Sequence, residues 1–162
     1  MMPSENRDKI KLVLSILVCL FAAAVGGLLT APHVGNWYRA LLKPPLNPPS
    51  WVFGPVWTVL YVLMGIALYL VWRKIPLGKD ETRAIAWFFI QLFLNVMWSF
   101  CFFYLKNPGL AFFEIVLLWT SIAVTIWMFR RVTLSAGVLL LPYWAWVSFA
   151  GYLNFAIWRL NA

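Results

Sequence analysis

Hydrophobic residues run along the chain in five long and nearly uninterrupted stretches. They cover residues 12–31, 51–72, 84–105, 110–129 and 134–158. A hydrocarbon core about 30 Å thick is crossed by about 20 residues of helix at about 1.5 Å each. Polar backbone groups in lipid must pair within the segment, and these runs lack the alternation of barrel strands. The pattern predicts an all-α, five-transmembrane-helix bundle that forms one domain over residues 1–162.

The distribution of charged residues predicts how this bundle is oriented in the membrane. The chain is 64% hydrophobic and 11% charged, with a net charge of +8. Of its 13 Lys and Arg residues, only Arg39, Lys43, Lys106 and Arg159 lie at the predicted ends opposite the amino terminus. Because Lys and Arg concentrate in cytoplasmic loops, we predict a cytoplasmic amino terminus, an outward first connection and an outward carboxyl terminus. Helical spans favour an inner or plasma membrane, and no nucleic-acid partner is predicted.

Residues with obvious catalytic or metal-binding chemistry are scarce. Cys19 and Cys101 both fall in spans, without a Cys-x-x-Cys motif or a histidine cluster, so buried apolar thiols are predicted. Nothing resembles a nucleophile with a positioned base or a nucleotide-binding loop. The sequence therefore predicts no metal, no cofactor and no conventional catalytic residue.

Polar and amphipathic residues inside the spans mark a candidate pocket, because such side chains usually face the interior of a bundle. Several recur at four-residue spacing, which places them on one helix face. Counted from the outward helix ends, they lie roughly 7 to 20 Å deep, in the outward half of the bundle. The candidates from depth and spacing are Trp57, Tyr61, Gln91, Asn95, Trp98, Glu114, Trp146, Ala150 and Asn154.

The connection between the first two spans is rich in proline. The stretch "LLKPPLNPPSWVFGPVW", residues 41–57, holds five prolines and two tryptophans. Proline fixes φ and restricts the residue before it, so the segment is predicted to be stiff. We interpret residues 32–50 as a lid over a pocket that opens outward. The candidate lid residues are His33, Arg39, Lys43, Pro44, Pro45 and Trp51.

Structural roles compete with these assignments. Tryptophans near span ends commonly form an interfacial belt, an interpretation that we favour for Trp37, Trp51, Trp72 and Trp158. Glu114 is balanced between a pocket group and a carboxyl that is protonated or bonded to a neighbouring helix.

The first span has a stripe of small residues. Ala22, Ala23, Gly26 and Gly27 allow close backbone approach, either by an internal helix or by a second protomer.

Three blocks resemble the translocator protein family, also called tryptophan-rich sensory proteins or peripheral-type benzodiazepine receptors. They are "WYRALLKPPLNPPSWVFGPVWTVLYVLMGIALYLVW", "QLFLNVMWSFCFF" and "LLPYWAWVSFAGYLNFAIWRLN". The resemblance implies a homodimer of five-helix bundles, with a pocket under the first loop that binds tetrapyrroles such as protoporphyrin IX. By motif match, the family's pocket positions fall on Trp57, Asn95, Trp98, Pro142, Tyr143 and Trp146.

The resemblance also bears on function. It implies a sensor or regulator of tetrapyrrole and stress responses. Animal relatives bind cholesterol through a carboxyl-terminal motif, but Phe155 and Ala156 stand here where its tyrosines would be. Tyr152 has six residues before Arg159, one more than the motif allows. The broken motif argues against sterol binding.

Three functions are compatible with the sequence. The favoured hypothesis is a receptor in which tryptophans stack on a porphyrin and Arg39 and Lys43 pair with its propionates. The second is light-dependent porphyrin degradation by Trp57 and Trp146. The third is transport of a lipophilic ligand, against which the apolar inner halves of the second and fifth spans argue.

Overall fold

The computed structural model describes residues 4–74 and 78–162, so the connection between the second and third spans is described only at its two ends. The described residues are mostly helical and none lies in a strand. Within these described ranges, five spans are long and apolar enough to cross a membrane, which confirms the predicted fold class. The helices are α1 (Ser4–His33), α2 (Ser50–Trp72), α3 (Lys79–Ser99), α4 (Pro108–Val132), α5 (Leu134–Leu139) and α6 (Leu141–Leu160).

The first span is longer than the apolar pattern indicates. Helix α1 runs through Pro32, and a π-helical segment, Val34–Tyr38, extends it. The ring centroids of Trp37 and Phe102 lie 5.6 Å apart, and Phe102 belongs to a second π-helical segment, Phe100–Tyr104, after α3. This aromatic packing stabilises a helical end that proline alone would terminate. The non-helical connection therefore covers only residues 41–49, and not the 32–50 predicted for the lid.

The fifth span is two helices and not one continuous helix. Helix α5 ends at Leu139 and α6 begins at Leu141, with Pro142 in the first turn of α6. Proline has no N–H to donate to the preceding turn, which interrupts the hydrogen-bond ladder at this point. The span predicted over residues 134–158 is therefore interrupted at Leu140. The interruption separates a short inner helix from the long helix that carries the candidate pocket residues.

Close packing holds the half of the bundle farthest from the 41–49 connection, which we call the inner half. A Cβ placed on Gly65 of α2 would lie 2.7 Å from the Cα of Ile16 in α1, so only glycine permits this contact. Between α3 and α4, the rings of Phe88 and Phe129 stack with centroids 5.7 Å apart. Because hydrophobic burial alone does not drive helices together in lipid, such tight contacts stabilise the bundle. Cys19 is a buried free thiol, as predicted.

Candidate ligand-binding cavity

A cavity of about 440 Å³ lies in the outer half of the bundle, the half nearest the 41–49 connection. This volume falls in the range of about 300 to 1,000 Å³ that is usual for small-molecule sites. Side chains from α1, α2, α3 and α6 line it, together with both π-helical segments, whereas α4 and α5 contribute none. The polar members of the lining are hydroxyls, amides and indoles, and the lining contains no charged side chain.

Three indoles dominate the wall. Trp57 lies 5.7 Å from the ring of Tyr61, Trp98 stacks on Phe102 at 5.2 Å, and Trp146 lies 6.0 Å from Phe53, all measured between centroids. Four-residue spacing brings Trp57 and Tyr61 to one face of α2. Large flat rings of this kind offer an aromatic ligand extensive stacking area. The cavity therefore suits a flat, mainly apolar molecule.

A buried hydrogen-bonded chain forms the base of the cavity. The Tyr61 hydroxyl donates to Asn95 Oδ1, and Asn95 Nδ2 donates to the Tyr143 hydroxyl at 2.9 Å. The Tyr143 hydroxyl in turn donates to Gln91 Oε1 at 2.9 Å. Tyr61 and Asn95 line the cavity, while Gln91 and Tyr143 lie behind them. Because buried polar groups are costly unless paired, this chain stabilises a single arrangement of α2, α3 and α6.

A second amide orients the indole of Trp98. Asn154 Oδ1 accepts a hydrogen bond from Trp98 Nε1 at 2.9 Å, and Asn154 Nδ2 donates to the Pro108 carbonyl at 2.7 Å. Asn154 is almost fully buried, and its two bonds join α3, α6 and the beginning of α4. Asn154 therefore fixes the orientation of the Trp98 ring, which forms part of the cavity wall.

The 41–49 connection is fastened at two points. The Tyr38 hydroxyl donates to Asn47 Oδ1 at 2.9 Å. At the other side, Asn161 Oδ1 accepts from the Leu42 amide at 3.0 Å, and Asn161 Nδ2 donates to the Leu42 carbonyl at 2.9 Å. Pro44 is buried within the connection. The prolines stiffen the segment, and these side chains tie it to the π-helical segment that extends α1 and to the end of α6.

Arg39 and Lys43 lie in a second depression, which shares Val34, Tyr38 and Ser50 with the main cavity. The Lys43 ammonium donates to the Leu41 carbonyl at 2.9 Å and lies 4.7 Å from the Tyr38 ring centroid. Partial burial lowers the pKa of Lys43. Lys43 therefore helps to hold the connection, whereas Arg39 is exposed and makes no salt bridge within the described residues.

The structure brings most of the predicted pocket residues together. Gln91 and Tyr143 lie behind the wall, as described above. Glu114 does not line the cavity: it is buried on α4, which contributes no residue to the wall. Neither of its carboxyl oxygens has a hydrogen-bond partner within the described residues, so the alternative of a bond to a neighbouring helix is not observed either. The predicted residues that line the cavity are Trp57, Tyr61, Asn95, Trp98, Trp146, Ala150 and Asn154.

The candidate lid residues divide in a similar way. Apart from Arg39 and Lys43, none of them lines the cavity or the second depression. His33 makes an edge contact with the Tyr104 ring, whose centroid is 6.4 Å away. Pro45 is exposed, and Trp51 is 74% exposed because it lies in the first turn of α2, off the face that carries Trp57. The exposure of Trp51 agrees with the interfacial interpretation.

Sequence reasoning missed the contribution of α1 to the cavity. Its small-residue stripe was interpreted as a packing groove, yet Ala23, Gly26 and Gly27 line the cavity, followed by Thr30 and Ala31. The absence of side-chain volume here leaves space for a ligand. The stripe was therefore the available signal, but its sequence does not distinguish a packed groove from an open one.

The described residues form five membrane spans, four of which line a tryptophan-rich cavity, and this arrangement defines an α-helical membrane protein with a cavity of small-molecule size. Residues 15–159 match the TspO/MBR family, and the chain belongs to this family. It is 42% identical over 160 residues to the Tryptophan-rich protein TspO of Chlorobaculum tepidum, covering 96% of this chain and 99% of that protein. The Tryptophan-rich protein TspO of Archaeoglobus fulgidus is 44% identical over 154 residues, covering 94% and 98%. The Tryptophan-rich sensory protein of Cereibacter sphaeroides is 38% identical over 150 residues, covering 93% and 91%.

Proposed function

We propose that the protein is a membrane receptor of sensory type that binds tetrapyrroles of the protoporphyrin IX class in the tryptophan-lined cavity. Ligand occupancy would regulate porphyrin or stress responses. The sensory role follows from family membership and from the name of the Cereibacter sphaeroides relative. The resemblance of the motif blocks and the cavity lining both support the choice of a tetrapyrrole ligand.

The observation that carries the proposal is the combination of three indoles with a fixed polar base. Trp57, Trp98 and Trp146 present flat surfaces, and Asn95 is held by its hydrogen bonds to Tyr61 and Tyr143. Ligand sites of this kind pair a largely apolar wall with a few oriented polar groups. A rigid macrocycle gains from such a preformed site, because little ordering accompanies binding.

The acidic groups of a tetrapyrrole require cations outside the neutral cavity. Arg39 lies in the adjoining depression, is exposed and carries a guanidinium that suits bidentate pairing with a carboxylate. Lys43 already donates to two backbone carbonyls, so it retains one N–H for a ligand. We therefore assign the main propionate contact to Arg39, with Lys43 as a weaker contributor.

The receptor hypothesis is favoured over a carrier by the packing below the cavity. Gly65 and Ile16 are in backbone contact there, and Phe88 stacks on Phe129 farther inward. A polar path through this half would require these contacts to separate. The proposal retains a homodimer, a cytoplasmic amino terminus and an inner or plasma membrane location, which the resemblance and the charge asymmetry support.

The experiment is a titration of the purified protein with protoporphyrin IX in the dark, followed by tryptophan fluorescence. We expect saturable quenching, and a Trp57→Phe, Trp146→Phe double variant should bind about tenfold more weakly, a loss of about 1.4 kcal/mol. The matched control is Trp119→Phe, Trp127→Phe, which removes two indoles that do not line the cavity and are 38% and 52% exposed. Its affinity should equal that of the parent. Unsaturable quenching, or equal losses in both double variants, would refute the assignment.

A further inference from the structure

The exposed part of the cavity lining lies on two neighbouring helices. Among the residues that line the cavity, the exposed ones are Gly27, Ala31, Ser50, Gly54 and Thr58. All of them belong to α1 or α2. The lining residues from α3 and α6 are buried or half-buried. The cavity therefore opens sideways, between α1 and α2, toward the surface that faces lipid.

The space around three glycines indicates how closely α1 and α2 approach each other along their length. In the inner half, a Cβ on Gly65 would meet Ile16 at 2.7 Å. Gly54 lies about 16 Å farther outward along α2, at about 1.5 Å per residue. A Cβ at Gly54 would have no atom within 4 Å, and the same is true of Gly27 on α1. The two helices touch in the inner half and diverge around the cavity.

The opening lies at hydrocarbon depth. Gly54 and Thr58 are about 6 and 12 Å from the start of α2, at about 1.5 Å per residue. Their neighbours along the surface include Leu28 and Val59, which are 77% and 58% exposed. Such apolar side chains face lipid tails in a membrane protein. The hydroxyl of Thr58 donates to the Gly54 carbonyl at 2.9 Å, so the edge of the opening presents a satisfied donor.

Access from water is more obstructed. The 41–49 connection is tied down by Tyr38 with Asn47, and by Asn161 with Leu42. Each bond contributes about 1 kcal/mol, and all would have to break before the connection could lift. The side opening requires no bond to break.

We propose that the opening between α1 and α2 is the entrance to the cavity and that it admits apolar, membrane-dissolved molecules directly from the outer half of the bilayer. Ligands therefore reach the protein after partitioning into lipid. The proposal rests on the shape of the cavity and is independent of which ligand occupies it. Its test uses thiol reagents, so failure of porphyrin binding would leave the result interpretable.

The test introduces one thiol on the far wall of the cavity. In a Cys19→Ala, Cys101→Ala background, Ala150→Cys places a thiol on α6, at a half-buried lining position. Protein in lipid vesicles is treated with a long-alkyl maleimide that dissolves in the bilayer, or with a charged, water-soluble methanethiosulfonate. Each rate is divided by the same reagent's rate with free cysteine, because the two reactive groups differ in intrinsic reactivity. We expect the maleimide to have the faster normalised rate. Adding Gly27→Leu and Gly54→Leu should slow the maleimide by about tenfold, a barrier increase of about 1.4 kcal/mol.

The matched control is Gly35→Leu. Gly35 also has no atom within 4 Å of a placed Cβ, but it lines the second depression beside the connection. This variant should leave the maleimide rate unchanged. Gly54→Leu alone provides the same comparison if the double variant does not fold, as judged by gel filtration. Three outcomes would overturn the proposal. The first is faster normalised labelling by the charged reagent, and the second is slower maleimide labelling when Gly35→Leu is the only added substitution. The third is no labelling by the maleimide, as when a second copy covers the opening.

Discussion

Glycines of α1 or α2 lie in both the inner and the outer half of the bundle, but the two halves differ in how closely their helices approach. In the inner half, Gly65 brings α1 and α2 into backbone contact, and aromatic stacking of Phe88 on Phe129 joins α3 and α4. In the outer half, Gly27 and Gly54 lie beside open space and border a cavity. Small residues thus permit tight packing in one half and leave room for a ligand in the other. Closure of the inner half provides the rigidity that an open outer half needs.

The largest effect is expected from a substitution that disrupts the contact between α1 and α2 in the inner half. Gly65→Leu would force its side chain into the Ile16 backbone, 2.7 Å from the position of Cβ. Overpacking typically costs about 1 to 3 kcal/mol, and we expect the upper end here because backbone offers no flexible atom that could move aside. We expect a marked fall in the thermal midpoint, measured in detergent by tryptophan fluorescence. Gly54→Leu is the control, since its Cβ meets no atom within 4 Å, and a similar fall in both variants would contradict the contrast between the halves.

The contrast also explains which features of the structure could be predicted from the sequence. Span number, the outer location of the polar residues and the clustering of Trp57, Asn95 and Trp98 followed from hydropathy, depth and helical spacing, all of which are local properties. The extension of α1 past Pro32 was not predictable, because distant rings on Phe102 and Phe103 stabilise it. The contribution of the small-residue stripe of α1 to the cavity was not predictable either, because the separation of α1 and α2 depends on every contact along the two helices.

The next effect concerns the base of the cavity. Tyr143→Phe would remove the hydroxyl that accepts from Asn95 and donates to Gln91. Two buried polar groups would lose their partner, at a cost of about 2 kcal/mol. We expect lower thermal stability with a smaller change in dark porphyrin affinity than in Trp57→Phe, because Tyr143 does not line the cavity. Tyr152→Phe, at a 46% exposed position, should leave both quantities unchanged.

A smaller effect concerns the fastening of the connection. Asn161→Ala would remove the two bonds that hold the Leu42 backbone. These bonds are exposed, so we expect a cost of about 1 kcal/mol or less in stability. The Leu42 amide should instead exchange with deuterium several-fold faster, because its acceptor is lost. Asn36→Ala, at an exposed position in the π-helical segment, is the control and should leave exchange at Leu42 unchanged.

The smallest expected effect distinguishes the roles of Arg39 and Lys43, the two cations beside the cavity. Arg39→Gln should weaken protoporphyrin IX by about 0.5 to 1 kcal/mol at low salt, the value of an exposed ion pair. Added salt should erase this difference, because exposed charges are screened over about 10 Å at 0.1 M ionic strength. Lys43→Gln should instead speed exchange at the connection, because Lys43 donates to the carbonyls of Arg39 and Leu41. An uncharged porphyrin ester is the control ligand: if Arg39→Gln weakened it as much as the free acid, Arg39 would act through the shape of the mouth and not through its charge.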